Sequence, residues 1–348
     1  MSAERPLAVL GATGYTGRLV VEQARELGLP LRLVGRRREE LERLARDGEE
    51  IRVADAGHEA ELIEAFDGAF AVASMAGPFL DVGAKPIGAA IAVGAHYLDV
   101  SGEQAFARVV YEGFGESAEE RDIVLLTSFG FDYVPGDLAA RLAAEGLDEP
   151  LDEVVVAYAT KGQGTSAGTR RTIGHVMGQP QVAWEGRLVP SRFGKTSRSV
   201  CFPFGDRSVI EWAGTEPLTV PRHTRVQSVR SYFAAPRAAA LAGLVGPLVA
   251  PFVRQSGRVG GNPSVDRRAG NVWTVVAEAR RGSERRRATL VGRDTYGLAA
   301  LLVAQGASAL RAGEARGVGA LAPAEAFDVH TFAPRLAPLL EVRAVEGF

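Results

Sequence analysis

The sequence predicts an α/β fold: a doubly wound parallel sheet, then a second α+β domain built on a mixed or antiparallel sheet. Three observations predict it. An apolar run, Leu7-Ala8-Val9-Leu10, leads into glycines 11, 14 and 17 and then into a segment of helical periodicity. Strand-like runs then alternate with helical patterns to about residue 145, as crossover-connected parallel strands require. From about Leu151 several strand-like segments follow one another without crossover helices, which pair as an antiparallel or mixed sheet. The expected division is 1–148, 149–292 and 293–348, with helices of the last part packing back on the first domain.

The first element, strand–turn–helix, is a phosphate site in outline. Unpaired N–H groups and the positive end of the helix dipole point at the turn, and glycines remove the side chains that would keep a pyrophosphate away. Gly11, Ala12, Thr13, Gly14, Tyr15, Thr16 and Gly17 are its candidate residues, Thr13 and Thr16 adding hydroxyl donors. A second strand, 31–34, ends about 20 residues after the last glycine, where a Rossmann-type dinucleotide fold reads the ribose. An acid there would hold the 2′-OH of NAD. The chain instead has Arg36, Arg37 and Arg38, which suit a 2′-phosphate, so NADP(H) is expected. The same arginines also read as the start of a solvated helix paired with nearby glutamates.

A third strand, 51–55, ends at Asp55, which either approaches the adenine or caps a turn. A crossover helix at 59–66 and a fourth strand at 69–74 follow. The small-residue connection after it places Ala76, Gly77 and Pro78 under the pyrophosphate and nicotinamide ribose, since ligands of open α/β sheets sit at the carboxyl ends of strands. Then come a helix at 85–93, a fifth strand at 96–100 running into Ser101-Gly102-Glu103, a helix at 104–118 and a sixth strand at 123–127. In the second domain the strand-like segments are 153–158, 181–189, 197–202, 208–212, 224–233, 271–279 and 286–291, the last two joined as a hairpin. Helix 295–312 and the helix after Gly136 are expected to pack on the cofactor domain.

Gly77-Pro78-Phe79, the run His96 to Glu103 and the run Gly130 to Pro135, in this order after the glycine turn, resemble the saccharopine dehydrogenase-like oxidoreductases over residues 5 to 145. Within them the chain looks most like the branch with trans-acting enoyl reductases. The resemblance implies a Rossmann-type domain, NADP(H), and a second domain that shapes the substrate pocket and a dimer interface.

Hydride transfer needs a donor to protonate the developing negative charge. Tyr133 with Asp132, and Tyr97 with Glu103, are the candidates, because they sit on loops ending two neighbouring strands. Each has a plainer reading: Tyr97 as core, Asp132 as a helix cap, Glu103 as part of a first turn. His175, Arg170 and Arg171 are candidates in the second domain. The expected activity is NADPH-dependent reduction of a C=C or C=N bond of a small or acyl-type substrate. The alternatives are a saccharopine-type imine reductase or a non-catalytic NADPH sensor.

A net charge of -2 argues against nucleic acid as the main partner. The single cysteine, Cys201, fits a reducing, cytoplasmic setting, and no spacing resembles a metal site. The uncharged stretch 238–253 is short for a bilayer span and reads as buried, as an interface, or as a contact with an apolar surface; a homodimer is expected.

Overall fold

The structure is a computed structural model that describes residues 4–161, 180–235, 264, 268 and 270–348. The apolar stretch 238–253 and residues Arg170, Arg171 and His175 lie outside the described residues. The chain divides into two compact units, one from residues up to 101, 106–131 and 296–321, the other from 102–105, 132–295 and 322–348.

The first unit is built on strands β1 (Leu7–Leu10), β2 (Leu31–Gly35), β3 (Glu50–Val53), β4 (Ala71–Ser74), β5 (His96–Asp99) and β6 (Val124–Leu126). Helices α1 (Tyr15–Glu26), α2 (Arg38–Leu44), α3 (Glu59–Phe66), α4 (Phe79–Val82), α5 (Ala84–Val93), α6 (Gln104–Gly113) and α7 (Gly115–Glu119) run between them. The order across the sheet is 3-2-1-4-5-6 and every pairing is parallel, the doubly wound arrangement predicted. All four residues of β1 and of β4 are buried, which is why these strands read as unbroken apolar runs rather than as alternation. The helix expected over 104–118 is two helices, α6 and α7, broken at Phe114. A late, two-residue strand, Gly319–Ala320, adds to β6 in parallel and was not foreseen, being too short to carry a pattern.

In the second unit, α8 (Val134–Ala144) precedes β7 (Leu151–Lys161), β8 (Gln181–Glu185), β9 (Leu188–Ser191), β10 (Ser197–Phe202), β11 (Gly205–Glu211), α9 (Glu216–His223), β12 (Val226–Ala234), β13 (Val272–Arg281) and β14 (Glu284–Arg293). The chain closes with β16 (Leu340–Gly347), taking the short Gly319–Ala320 strand as β15. The sheet order is β10-β11-β12-β7-β13-β14-β16, with β8 paired to β12 and β9 paired to β8. It is mixed, because β12 and β7 run parallel while their other neighbours are antiparallel. The expected segment 181–189 is a hairpin of β8 and β9 turning at Gly186, whose φ of 65° suits glycine. Helix α9 was missed, since its eight residues include Pro217 and Pro221.

The division differs from the expected one at two places. Residues 132–148 belong to the second unit because α8 packs on β7, β13 and β14, not on the parallel sheet. Residues 322–348 join it because β16 pairs with β14. Helix α10 (Thr295–Arg311) does lie with the first unit, and Gly306 lets it approach closely: a Cβ there would stand 2.8 Å from the Phe129 ring and 3.0 Å from Leu98.

Candidate functional site

The glycine turn forms where β1 meets α1. Gly11 has φ 79°, accessible to it because it lacks a Cβ, and both its N–H and that of Ala12 donate to the Val34 carbonyl, tying the turn to β2. Gly14 N–H closes the turn on the Gly11 carbonyl at 2.9 Å, and Arg18 Nε donates to the Thr13 carbonyl at 3.0 Å. Gly17 allows the helix to seat on the strand: a Cβ there would overlap the Gly11 carbonyl oxygen. The N-terminus of α1, with its dipole, therefore opens directly onto the turn.

A cleft of about 290 Å³ lies at the carboxyl ends of β1 to β4. Eight of the expected cofactor residues line it: Gly11, Thr13, Gly14, Arg36, Arg37, Asp55, Ala76 and Gly77. Ala12 and Gly17 are buried beneath the turn and shape it instead. Tyr15, Thr16 and Pro78 are not among the lining residues; the Tyr15 ring packs edge-on against Tyr296 at 5.2 Å. Met75, the first residue of the connection expected there, lines it as well, and so does Val82, which nothing local marks.

The two arginines are exposed, 75% and 67% for their side chains. Arg37 pairs with Glu40 at 2.8 Å, so the solvated-helix reading holds for the same side chains. Asp55 serves the turn reading: Oδ1 accepts the Gly57 N–H at 2.7 Å, while Oδ2 stands 3.6 Å from Arg36 Nη1. The Gly57 hydrogen bond and the Arg36 charge hold its carboxyl below its usual value. An ionised Asp55 thus orients the Arg36 guanidinium on the wall of the cleft. The position after β2 that an NAD site fills with an acid holds arginine here. Left-handed Gly11, the exposed Gly14 on the cleft wall and the helix N-terminus fit a dinucleotide diphosphate.

The four expected catalytic residues are divided between the two units. Tyr97 is wholly buried in the core of the first unit, with burial first, then the Asp99 charge, pushing its hydroxyl up. Glu103, Asp132 and Tyr133 belong to the second unit. There Glu103 is wholly buried and Tyr133 nearly so; the Tyr133 hydroxyl donates to the Ala213 carbonyl at 3.3 Å and its ring stacks on Trp212 at 6.0 Å. Tyr133 is thus engaged in packing. Asp132 differs: its surface is exposed, yet surrounding protein desolvates the carboxyl and pushes it up to about 6. It caps no helix; α8 has Tyr133 at its N-cap, without a side-chain hydrogen bond.

Sequence reasoning missed a buried acid beside them. Glu216, the first residue of α9, is wholly buried and accepts the Tyr158 hydroxyl at 2.6 Å and the Ser231 hydroxyl at 2.5 Å. Burial pushes its carboxyl up to about 7. Gly136 and Gly214 make room for it, since a Cβ on either would overlap its oxygens. Tyr158 Oη also reaches the Tyr133 carbonyl at 3.4 Å, so this network backs the 132–133 turn. A second buried pair, Asp137 with His223 Nε2 at 2.9 Å, joins α8 to α9. Desolvation opposes ionisation of Asp137, but the charge and hydrogen bond of His223 outweigh it and hold the carboxyl low.

Comparison with known proteins agrees with this geometry. Residues 11–160 match a protein-family profile described as NAD(P)H-binding. A human protein named saccharopine dehydrogenase-like oxidoreductase is 31% identical over 157 residues, 39% of this chain and 37% of that one. A Caenorhabditis elegans lipid droplet localized protein is 27% identical over 185 residues, 48% of this chain and 43% of that one. The matched stretches thus span about two fifths of these relatives' own length. The apo, histidine-tagged saccharopine dehydrogenase (L-Glu forming) of Saccharomyces cerevisiae superposes with a TM-score of 0.61 over 95% of both chains at 11% identity, which is likeness of fold. Among the described residues no helix is long and apolar enough to cross a membrane. The chain thus carries a stretch that matches an NAD(P)H-binding profile, is similar over about two fifths of its length to proteins named saccharopine dehydrogenase-like oxidoreductase, and shares the two-sheet fold of the yeast enzyme.

Proposed function

We propose that the protein is an NADP(H)-dependent reductase acting on a C=N or C=C bond of a small or acyl-type substrate. The observation that carries the cofactor choice is the presence of Arg36 and Arg37 on the wall of the cleft that holds the glycine turn. The bound cofactor supplies the hydride. The chain supplies the rest: the turn and the α1 N-terminus hold the diphosphate, Arg36 and Arg37 hold the 2′-phosphate, and Asp55 orients Arg36. Asp132, whose desolvated carboxyl keeps its proton to about pH 6, donates that proton to the atom left with the electron pair, nitrogen for an imine or the α-carbon for an enoyl group.

Titrating the protein with NADPH and NADH, then following nicotinamide absorbance with imine and 2-enoyl panels, tests the reading. NADPH should bind in preference. Replacing Arg36 and Arg37 by alanine should weaken NADPH about ten- to hundredfold for each charge-assisted bond lost, with NADH unaffected. An NADH preference in the wild type overturns the cofactor choice, and selective NADPH binding without turnover assigns a sensor. The names of the matched relatives favour the imine arm for amino-acid substrates.

A further inference from the structure

Asp99 ends β5 and is wholly buried. It lies in register beside Ser74, the last residue of β4, immediately before the Met75–Ala76–Gly77 segment that lines the cleft. Its Oδ1 accepts the N–H of Ser101 at 2.8 Å and that of Ser128 at 2.9 Å, and its main-chain carbonyl accepts the N–H of Phe129 at 2.6 Å. One residue therefore gathers the loops at the carboxyl ends of two neighbouring strands. Ser128 has φ 56°, left-handed backbone that a residue with a side chain keeps only when its surroundings hold it. Asp99 is what holds it: the carboxylate grips Ser128 itself and the carbonyl grips the next residue. The chain leaves the first unit just beyond these grips, after Ser101 and after Phe131.

A doubly wound sheet binds a dinucleotide in two halves, one on each side of the point where strand order reverses. That point lies between β1 and β4 here. The glycine turn and the ends of β2 and β3 serve the adenosine half, which leaves the ends of β4, β5 and β6 to the other. We propose that Asp99 is a positioning residue for the nicotinamide half of the site, fixing the 100–101 and 128–129 backbone against which that half is placed. This rests on the nicotinamide-cofactor reading of the cleft.

The test compares two ligands, NADPH and 2′-phospho-ADP-ribose, which lacks the nicotinamide. Asp99→Asn keeps the volume and an acceptor oxygen but exchanges charge-assisted hydrogen bonds for neutral ones. Calorimetry should show NADPH weakened about five- to tenfold and the fragment by less than about twofold. Equal losses for both ligands, or no loss for either, overturn the assignment. A second measurement uses the unaltered protein: amide exchange at Ser101, Ser128 and Phe129 should slow on adding NADPH and not on adding the fragment. The same response to both ligands is again fatal. If the wild type binds neither ligand, the cofactor reading itself fails and takes this inference with it, an outcome distinct from the other two.

Discussion

Glu216 allows the internal support of the second unit to be tested quantitatively. Burial moves its carboxyl from 4.5 up to about 7, although hydrogen bonds from Ser231 and Tyr158 pull the other way. The folded protein therefore keeps a proton that the unfolded chain gives up at lower pH. The stability tied to that proton is whole below about pH 4.5, declines as pH rises, and is lost above about pH 7. At about 1.4 kcal/mol per unit of displacement, the full loss is about 3 kcal/mol. Glu216→Gln removes the titration while keeping volume, an acceptor for the Tyr158 hydroxyl and a polar partner for Ser231. Urea unfolding followed by tryptophan fluorescence is the assay, because Trp184, Trp212 and Trp273 all belong to the second unit and the Trp212 ring packs 5.7 Å from that of Tyr158. The stability of the variant relative to wild type should shift in its favour by about 3 kcal/mol between about pH 4.5 and 7.5. A difference that stays constant across that range would refute the argument that burial keeps this acid protonated.

Two further outcomes follow from the two units. Gly17→Ala forces the new Cβ into the Gly11 carbonyl, so α1 must move off β1; a destabilisation of about 1–3 kcal/mol by thermal melting, with weakened NADPH binding, is expected. An unchanged melt and affinity would mean that the turn tolerates a wider approach. For Asp132, the rate of substrate reduction should fall about tenfold per pH unit above about pH 6, as the proton donor ionises. Asp132→Asn should be slower and lose that dependence, whereas a wild-type rate flat through pH 6 to about 9 would remove Asp132 from the chemistry.

Most of the parallel sheet was legible because its signals are local and strong. Strands β1, β2 and β4 are buried on both faces and read as apolar runs, and Gly14 and Gly17 each meet a backbone requirement set by Gly11 a few positions away. The cleft followed from the turn, and Arg36, Arg37 and Asp55 were found by their distance along the chain from it. The catalytic candidates were less legible. Tyr97, within β5, and Glu103 and Tyr133 carry the right chemistry near the carboxyl ends of the strands, yet they are covered by protein, and of the four only Asp132 is an exposed residue. Asp99 sits within the run that first drew notice to Tyr97 and Glu103; an acid at a strand's carboxyl end was the available signal. Glu216 had none, since its partners Tyr158 and Ser231 come from β7 and β12.

The amino-acid order alone determined the βαβ beginning, the glycine turn, the arginines that follow β2 and the change to a strand-rich second part. Those features depend on periodicity and backbone freedom within some twenty residues, so they survive without knowledge of anything distant. Tertiary structure alone decided that α8 packs on the mixed sheet, that β16 joins it, that three polar candidates are buried, and that Asp99 and Glu216 each hold two segments together. Burial and hydrogen-bond partnership are set by whichever remote segment arrives to cover a residue, and no local pattern records that arrival.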